Sequence, residues 1–348
     1  MNRGIIVLLF LFLYMPRLTA QADSPPFRVM CWNVENLFDT HHDSLKNDYE
    51  FLPDALRHWN YQRYKKKLVN IARVITAVGE WVPPVLVGLC EVENDNVMRD
   101  LTRYSPLKEQ GYRYVITHSP DERGIDVALL YQRDRFKLLP HRSIPTGTFR
   151  PQNRPTRDIL HVCGLLATGD SLDVLVVHLP SRSSGAKVSE PYRMLVAGKI
   201  RSIADSLLTT RLHPQLIIMG DFNDYPNNKS ITQTLGALAP PPHPAPLQLY
   251  HLLASRAEAE KYSFGSYKYQ GKWGLLDHLI ISGTLLDNSS PFHTDEKKAN
   301  VARLPFLLSN DEKYGGKQPF RTYSGIKYLG GYSDHLPIYT DFEIIRNN

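Results

Sequence analysis

Short apolar runs, rich in β-branched residues, alternate along the chain with longer segments of helical period. Phe27–Asn33, Val85–Cys90, Ile125–Tyr131, Ile159–Leu166, Leu172–His178, Leu216–Gly220, Leu275–Ser282 and Leu336–Ile345 each read as a strand. Tyr61–Val78 instead spaces Leu68, Ile71, Ala72, Ile75 and Val78 at a helical period. Pro191–Leu208 does the same with Leu195, Ile200 and Ile203. Many strands with few helices predict an α/β fold in which sheets pack together under a cover of helices. Lys65-Lys66-Lys67 reads as the solvated face of the first helix. Ala239–Pro246 is Pro-dense and must be a stiff, irregular connection. His41–Pro53 and Asn288–Tyr323 read as polar surface loops beside a site. No repeat or compositional break divides residues 23–348, which are expected to form a single domain.

The first residues follow another logic. Arg3 precedes an unbroken apolar run from Ile5 to Met15, Pro16 ends it, and Thr19-Ala20-Gln21-Ala22 supplies small residues. That order predicts a signal peptide over residues 1–22, cleaved near Ala20 or Ala22, and hence an exported protein, periplasmic or secreted. The run falls short of the roughly 20 apolar residues that a membrane span needs.

Composition adds little: 42% hydrophobic and 22% charged residues are ordinary for a globular protein. The formal net charge of +6 falls to about +4 once Arg3 and Arg17 leave with the leader, a mild bias toward anionic partners. Cys31, Cys90 and Cys163 lie inside apolar runs without paired spacing. They predict small buried core residues, with at most one disulfide, and exclude a zinc site.

The chemistry gathers where strands end. Trp32-Asn33-Val34-Glu35-Asn36, Cys90-Glu91-Val92-Glu93-Asn94, Val177-His178-Leu179-Pro180-Ser181-Arg182 and Gly220-Asp221-Phe222-Asn223-Asp224 each follow a strand, and Ser333-Asp334-His335 precedes one. Turns recruit Asn and Asp for backbone reasons alone. Five such clusters, all rich in Asn, Asp, Glu and His, need more than turn chemistry, and strand ends are where ligands bind in open α/β folds. Carboxylate and amide oxygens without thiolates suit a hard cation, Mg²⁺ or alternatively Mn²⁺.

Taken together, W-N-x-E, G-L-C-E, V-V-H-L-P-S-R, M-G-D-F-N-D, L-L-D-H-L-I-I-S and S-D-H-L-P-I resemble the endonuclease/exonuclease/phosphatase superfamily. It includes deoxyribonuclease I-like nucleases, apurinic/apyrimidinic endonucleases, neutral sphingomyelinases and inositol-polyphosphate phosphatases. The motifs occur in the family's order over residues 27–343. The resemblance implies a four-layer α/β sandwich: two mixed β-sheets face to face with helices outside. It implies Glu91 as the main metal ligand, with Asn33, Glu35 and Asp334 also at the metal. Where most members have Gln before that Glu, this chain has Cys90. Further, it implies His178 and Asn223 on the scissile phosphate, Asp221 on the attacking water, and Asp277 orienting His335. An Asp–His pair of that kind fixes the imidazole tautomer and raises its basicity.

Arg123 and Arg182 are weaker candidates for phosphate contacts, and Trp273 and Tyr269 for stacking on a base or flanking a lipid head group. His278, next to Asp277, should face the opposite side of its strand. The expected activity is hydrolysis of phosphodiester bonds by a Mg²⁺-dependent enzyme on a phosphate-ester substrate, foremost DNA or RNA. A sphingomyelinase- or phospholipase C-like enzyme acting on a phospholipid head group, or a sugar- or inositol-phosphate phosphatase, would use the same site. A non-catalytic binding module is the third class, and the full occupancy of the motifs speaks against it. Nothing in the sequence implies an obligate protein partner.

Overall fold

The computed structural model describes residues 25–149 and 154–345, so the leader assigned to residues 1–22 lies outside the described residues. Along the chain come β1 (Phe27–Leu37), α1 (Tyr61–Gly79), β2 (Leu86–Val92), α2 (Asp95–Arg103), β3 (Arg113–Ile116) and β4 (Asp126–Tyr131). There follow β5 (Lys137–Ile144), β6 (Ile159–Leu165), β7 (Ser171–His178), α3 (Ala186–Thr210), β8 (Leu216–Asp221) and β9 (Leu249–His251). The last third holds β10 (Tyr267–Tyr269), β11 (Lys272–Gly274), β12 (Asp277–Ser282), β13 (Phe292–His293), β14 (Asn300–Val301) and β15 (Ile338–Ile344).

One sheet has the order β13-β15-β1-β2-β4-β3, with β14 also on β15. The other has the order β9-β12-β8-β7-β6-β5. Each sheet has a parallel pair at its centre, β1/β2 and β7/β8, flanked by antiparallel neighbours. Parallel neighbours need a crossover, supplied by α1 in one sheet and α3 in the other. The helices therefore lie outside and the sheets face each other, giving the four-layer α/β sandwich.

Strand alternation sorts the core. On β8, Ile217 and Met219 join the cluster between the sheets, while Leu216 and Ile218 pack toward α3. On β7, Val174 and Val176 face inward and Leu175 and Val177 outward. The same parity carries His178 and Asp221 to the inner side at the strand ends. Gly220 (φ +154°) lets two strands close up, since a Cβ there would sit 1.8 Å from the Val177 carbonyl oxygen.

The structure also departs from the sequence reading. Sequence patterning did not mark α2, β3 or β5. Helix α2 is short and is fixed by its cap, the Asn94 side chain accepting from the Asn96 and Val97 amides. Strand β5 is mostly exposed and so has no apolar alternation to betray it. Helix α3 begins before Pro191, and Leu195 is exposed rather than on the core face. Lys67 is buried, not solvated, because its ammonium donates to Thr322 Oγ1 (2.6 Å) and the Tyr332 carbonyl (2.7 Å). The three cysteines are buried free thiols.

Candidate active site

The ends of β1, β2, β7 and β8, the start of β12 and the residues before β15 converge at one pole. Asn33 is the hub. Its amide nitrogen donates to Glu91 Oε1 (3.1 Å) and Asp221 Oδ2 (3.0 Å). Its oxygen accepts from the Glu35 amide (2.9 Å), a contact that only the oxygen can make and that fixes the orientation of the group. Asn33 thus orients two carboxylates.

Glu91 shows how local backbone sets the site. Gly88 faces the other sheet at Met219, and by alternation Cys90 also points inward, so Glu91 would point away. A register irregularity between Cys90 and Val92 and a left-handed backbone at Glu91 (φ 65°) break the alternation and re-aim its carboxylate. Glu35 (φ 54°), Asn36 (φ 57°) and Asn223 (φ 50°) are left-handed too. Non-glycine residues seldom adopt this conformation, and its gathering at one pole marks a functional site.

His335 Nδ1 lies 2.7 Å from Asp277 Oδ2, which also accepts from the Ser266 hydroxyl. On the other side of the ring, Nε2 is 3.8 Å from Asp221 Oδ2. Burial pulls this imidazole down, but Asp277 and Asp221 outweigh it and hold it well above the usual histidine range, so it is protonated. Asp221 is pushed up to about 7, by burial first and by Asp277, against the pull of His335. His178 has the opposite environment. Burial and then the positive charges of Arg157 and Arg123 hold it well below the usual range, so it stays neutral. Its Nε2 faces Asp221 (3.6 Å) and Glu91 (3.9 Å), two acceptors, which favours a proton on Nε2.

Asn223 donates to the Leu179 carbonyl (3.0 Å), which also accepts from the Arg157 guanidinium (2.6 Å). Beneath this turn, Asp224 is clamped by Arg193 Nε (2.8 Å) and the Ser230 hydroxyl (2.6 Å). Arg157 is buried, pairs with Asp121 (3.3 Å), and leaves its Nε without a hydrogen-bond partner. The Tyr267 ring lies 4.9 Å from the His335 ring, and the two backbones form a β-bridge.

A hard cation fits at Glu91. Its carboxylate accepts from Asn33 and from the Asn36 amide (3.0 Å), leaving lone pairs on a partly exposed group amid oxygen ligands. Asp221, Asp277 and His335 also bring ligand atoms within 4.8 Å of one another. His335 Nδ1 is already taken up by Asp277, and Asp221 Oδ2 by the Asn33 amide, so that trio reads as a hydrogen-bonded cluster rather than as an open ligand set.

A model of the Endonuclease/Exonuclease/phosphatase family matches residues 28–344. The chain belongs to that family. Its members are hydrolytic phosphoesterases. Among curated protein sequences none matches the chain. Among solved structures it is similar to the human Nocturnin catalytic domain with bound sulfate: 16% identity, 92% of this chain and 95% of that one, TM-score 0.55. It is similar also to a mannosyl-6-phosphatase of Bacteroides thetaiotaomicron (16%, 91% and 99%, TM-score 0.54). A humanized Danio rerio TDP2 gives 14% identity over 92% and 99% of the two chains, with TM-score 0.54. At these identities the likeness is one of fold.

Of the residues singled out in the sequence, Asn33, Glu91, His178, Asp221, Asn223, Asp277 and His335 come together at this pole. Glu35 and Asp334 flank it but are otherwise engaged. Glu35 accepts from the Thr322 amide (2.6 Å), and Asp334 pairs with Arg321 (2.5 Å). Arg123 is an exposed residue near His178. Arg182 stacks over Tyr225 at 4.7 Å. Trp273 is capped by Arg303 at 4.4 Å, so that face is not open for stacking. Tyr269, by contrast, is exposed. His278 faces away from the site, stacked on Phe222. Sequence reasoning missed Arg157, Tyr267, Arg321 and Lys67. The apolar run that opens with Ile159 begins two residues after Arg157, and this placement at a strand end was the available signal for that residue.

Proposed function

We propose that the chain is an exported, divalent-cation-dependent phosphodiesterase whose substrate is DNA or RNA. The observation that carries this reading is the geometry at one pole: Asn33 donating to both Glu91 and Asp221, with Asp221 faced by His178 Nε2 (3.6 Å) and by Nε2 (3.8 Å) of His335, whose Nδ1 is 2.7 Å from Asp277; burial and Asp277 push Asp221 up to about 7. A carboxylate in that range is poised to take a proton from water at neutral pH. His335 is already protonated and therefore serves as fixed positive charge against the phosphorane rather than as base. The His178 Nε2–H and the Asn223 amide donate to non-bridging oxygens, and Asn33 holds Asp221 in line. Glu91 would hold a divalent cation, which when bound would supply Lewis-acid polarisation of a phosphoryl oxygen.

Arginines on both flanks favour a diester. Arg123 and Arg157 lie on the His178 side, and Arg321 lies by Asp334. Phosphates continue on either side of the scissile bond in a polynucleotide, whereas a monoester concentrates its charge at one place. The test is a panel of plasmid DNA, single-stranded RNA, sphingomyelin, bis-p-nitrophenyl phosphate and a sugar phosphate, with Mg²⁺, Mn²⁺ or EDTA. EDTA-sensitive cleavage of a nucleic acid is expected. Cleavage of the lipid or the monoester alone would discard the nucleic-acid substrate and keep the site.

A further inference from the structure

Glu35, Glu91 and Asp334 lie round the end of β1, each near enough to act on Lys67, with a formal charge of −3 between them. Two cations of the protein are already among them. The Arg321 guanidinium donates to Asp334 Oδ2 (2.5 Å) and lies 3.7 Å from Glu35 Oε1 through Nε. Lys67 is 1% exposed and is held from below by Thr322 and Tyr332. All three carboxylates act on its charge. Glu35 is further committed to the backbone amides of Thr322 (2.6 Å) and Tyr323 (3.4 Å). Arg321 and Lys67 offset two of the three formal negative charges, and Glu91 is the carboxylate of the three with no arginine or lysine of the described residues in an ion pair with it.

We propose that Arg321, backed by Lys67, stands where a second divalent cation would bind, so that Asp334 and Glu35 are not metal ligands and the site holds one divalent cation, at Glu91. The proposal rests on the phosphoesterase reading for the choice of Glu91 as ligand. A cation in the covalent chain neutralises the acidic flank without being exchanged or chelated. Two-metal hydrolases set a second ion about 3.5–4 Å from the first to stabilise the other reacting oxygen. Here Arg321, with its side chain 39% exposed, offers that flank a planar fork of N–H donors matched to phosphate.

The experiment is Mn²⁺ titration of the metal-free full chain, with free Mn²⁺ read by electron paramagnetic resonance and folding checked by circular dichroism. One Mn²⁺ per wild-type chain is expected. Glu91→Gln should lose it, Asp334→Asn should keep it, and Arg321→Gln should bind two. A second Mn²⁺ in the wild type that Asp334→Asn removes would overturn the inference and leave the phosphoesterase reading intact. So would loss of the single Mn²⁺ in Asp334→Asn, or a folded Arg321→Gln that still binds one. Should Arg321→Gln fail to fold, the wild-type and Asp334→Asn counts decide alone. One bound Mn²⁺ with no substrate of the panel cleaved would instead sink the phosphoesterase reading and leave the count standing.

Discussion

Two buried Asp–His pairs sit at opposite poles of the sandwich, and strand β7 reaches both, with Asp173 near its start and His178 at its end. The contact distances are almost the same: 2.8 Å from His161 Nε2 to Asp173 and 2.7 Å from His335 Nδ1 to Asp277. Their surroundings differ. Arg211 grips both oxygens of Asp173 (2.7 and 2.8 Å), and Arg142 donates to the free nitrogen of His161 (3.2 Å). Every neighbour there is a donor, so the pair is satisfied and inert. At the other pole the far nitrogen of His335 meets another carboxylate, Asp221, and Asp277 Oδ1 has no partner. That arrangement favours a proton on the imidazole, while burial and Asp277 raise the neighbouring Asp221. The pair itself does not make a site; the sign of the group beyond it does.

The comparison breaks most visibly in catalysis. Asp221→Ala or His335→Ala should lower kcat by about 10³-fold or more, as expected when a general base or a preorganised charge is removed. Asp277→Asn should cost about 10²-fold or more, since His335 would lose the anion that keeps it cationic and oriented. At the opposite pole Asp173→Asn should leave kcat unchanged and cost stability. Breaking a well-buried pair costs about 3–5 kcal/mol, and a third of Arg211 is exposed, so about 2–3 kcal/mol is expected by urea unfolding. A catalytic loss in Asp173→Asn at full folding would mean that the two poles are not the separate systems described here.

Much of this was legible in the sequence for one reason. The central strands are buried on both faces or alternate cleanly, and their inward parity delivers His178, Asp221 and Asp277 to one pole. What escaped depends on contacts far apart in the chain or on backbone that breaks the pattern. Lys67 sits in a run of three lysines, and only its partner Thr322, 255 residues on, distinguishes it from a solvated neighbour. Arg321 lies in a loop that reads as polar surface, although that loop is pinned to Glu35. Glu91 was assigned through its motif alone, because strict alternation would have aimed it away from the site. Trp273 looked available as an aromatic before the site, but Arg303 covers it while Tyr267 of the same hairpin reaches His335.

The smallest expected effect is also the sharpest test of the contrast, because the two poles should respond to pH with opposite signs. Although burial raises it, Asp173 is held below the usual carboxylate range by the His161 hydrogen bond and by Arg211. Its folded value lies below its unfolded value of about 3.9. It therefore contributes stability that is present above that pH and lost as pH falls through the folded value. For Asp221, pushed up to about 7, the folded state binds the proton more tightly than the unfolded state does. Between about 4 and 7 the unfolded chain releases that proton more readily, so this group makes stability fall as pH rises. Urea unfolding of the EDTA-treated chain from pH 3 to 8 should thus show Asp221→Asn gaining on the wild type as pH approaches 8. Asp173→Asn should lose progressively less as pH falls below about 4, where the unfolded chain takes up the proton first. Two variants that shift stability in the same direction at pH 8 would show that Asp221 is satisfied in the fold, and the strained, poised pole would lose its physical basis.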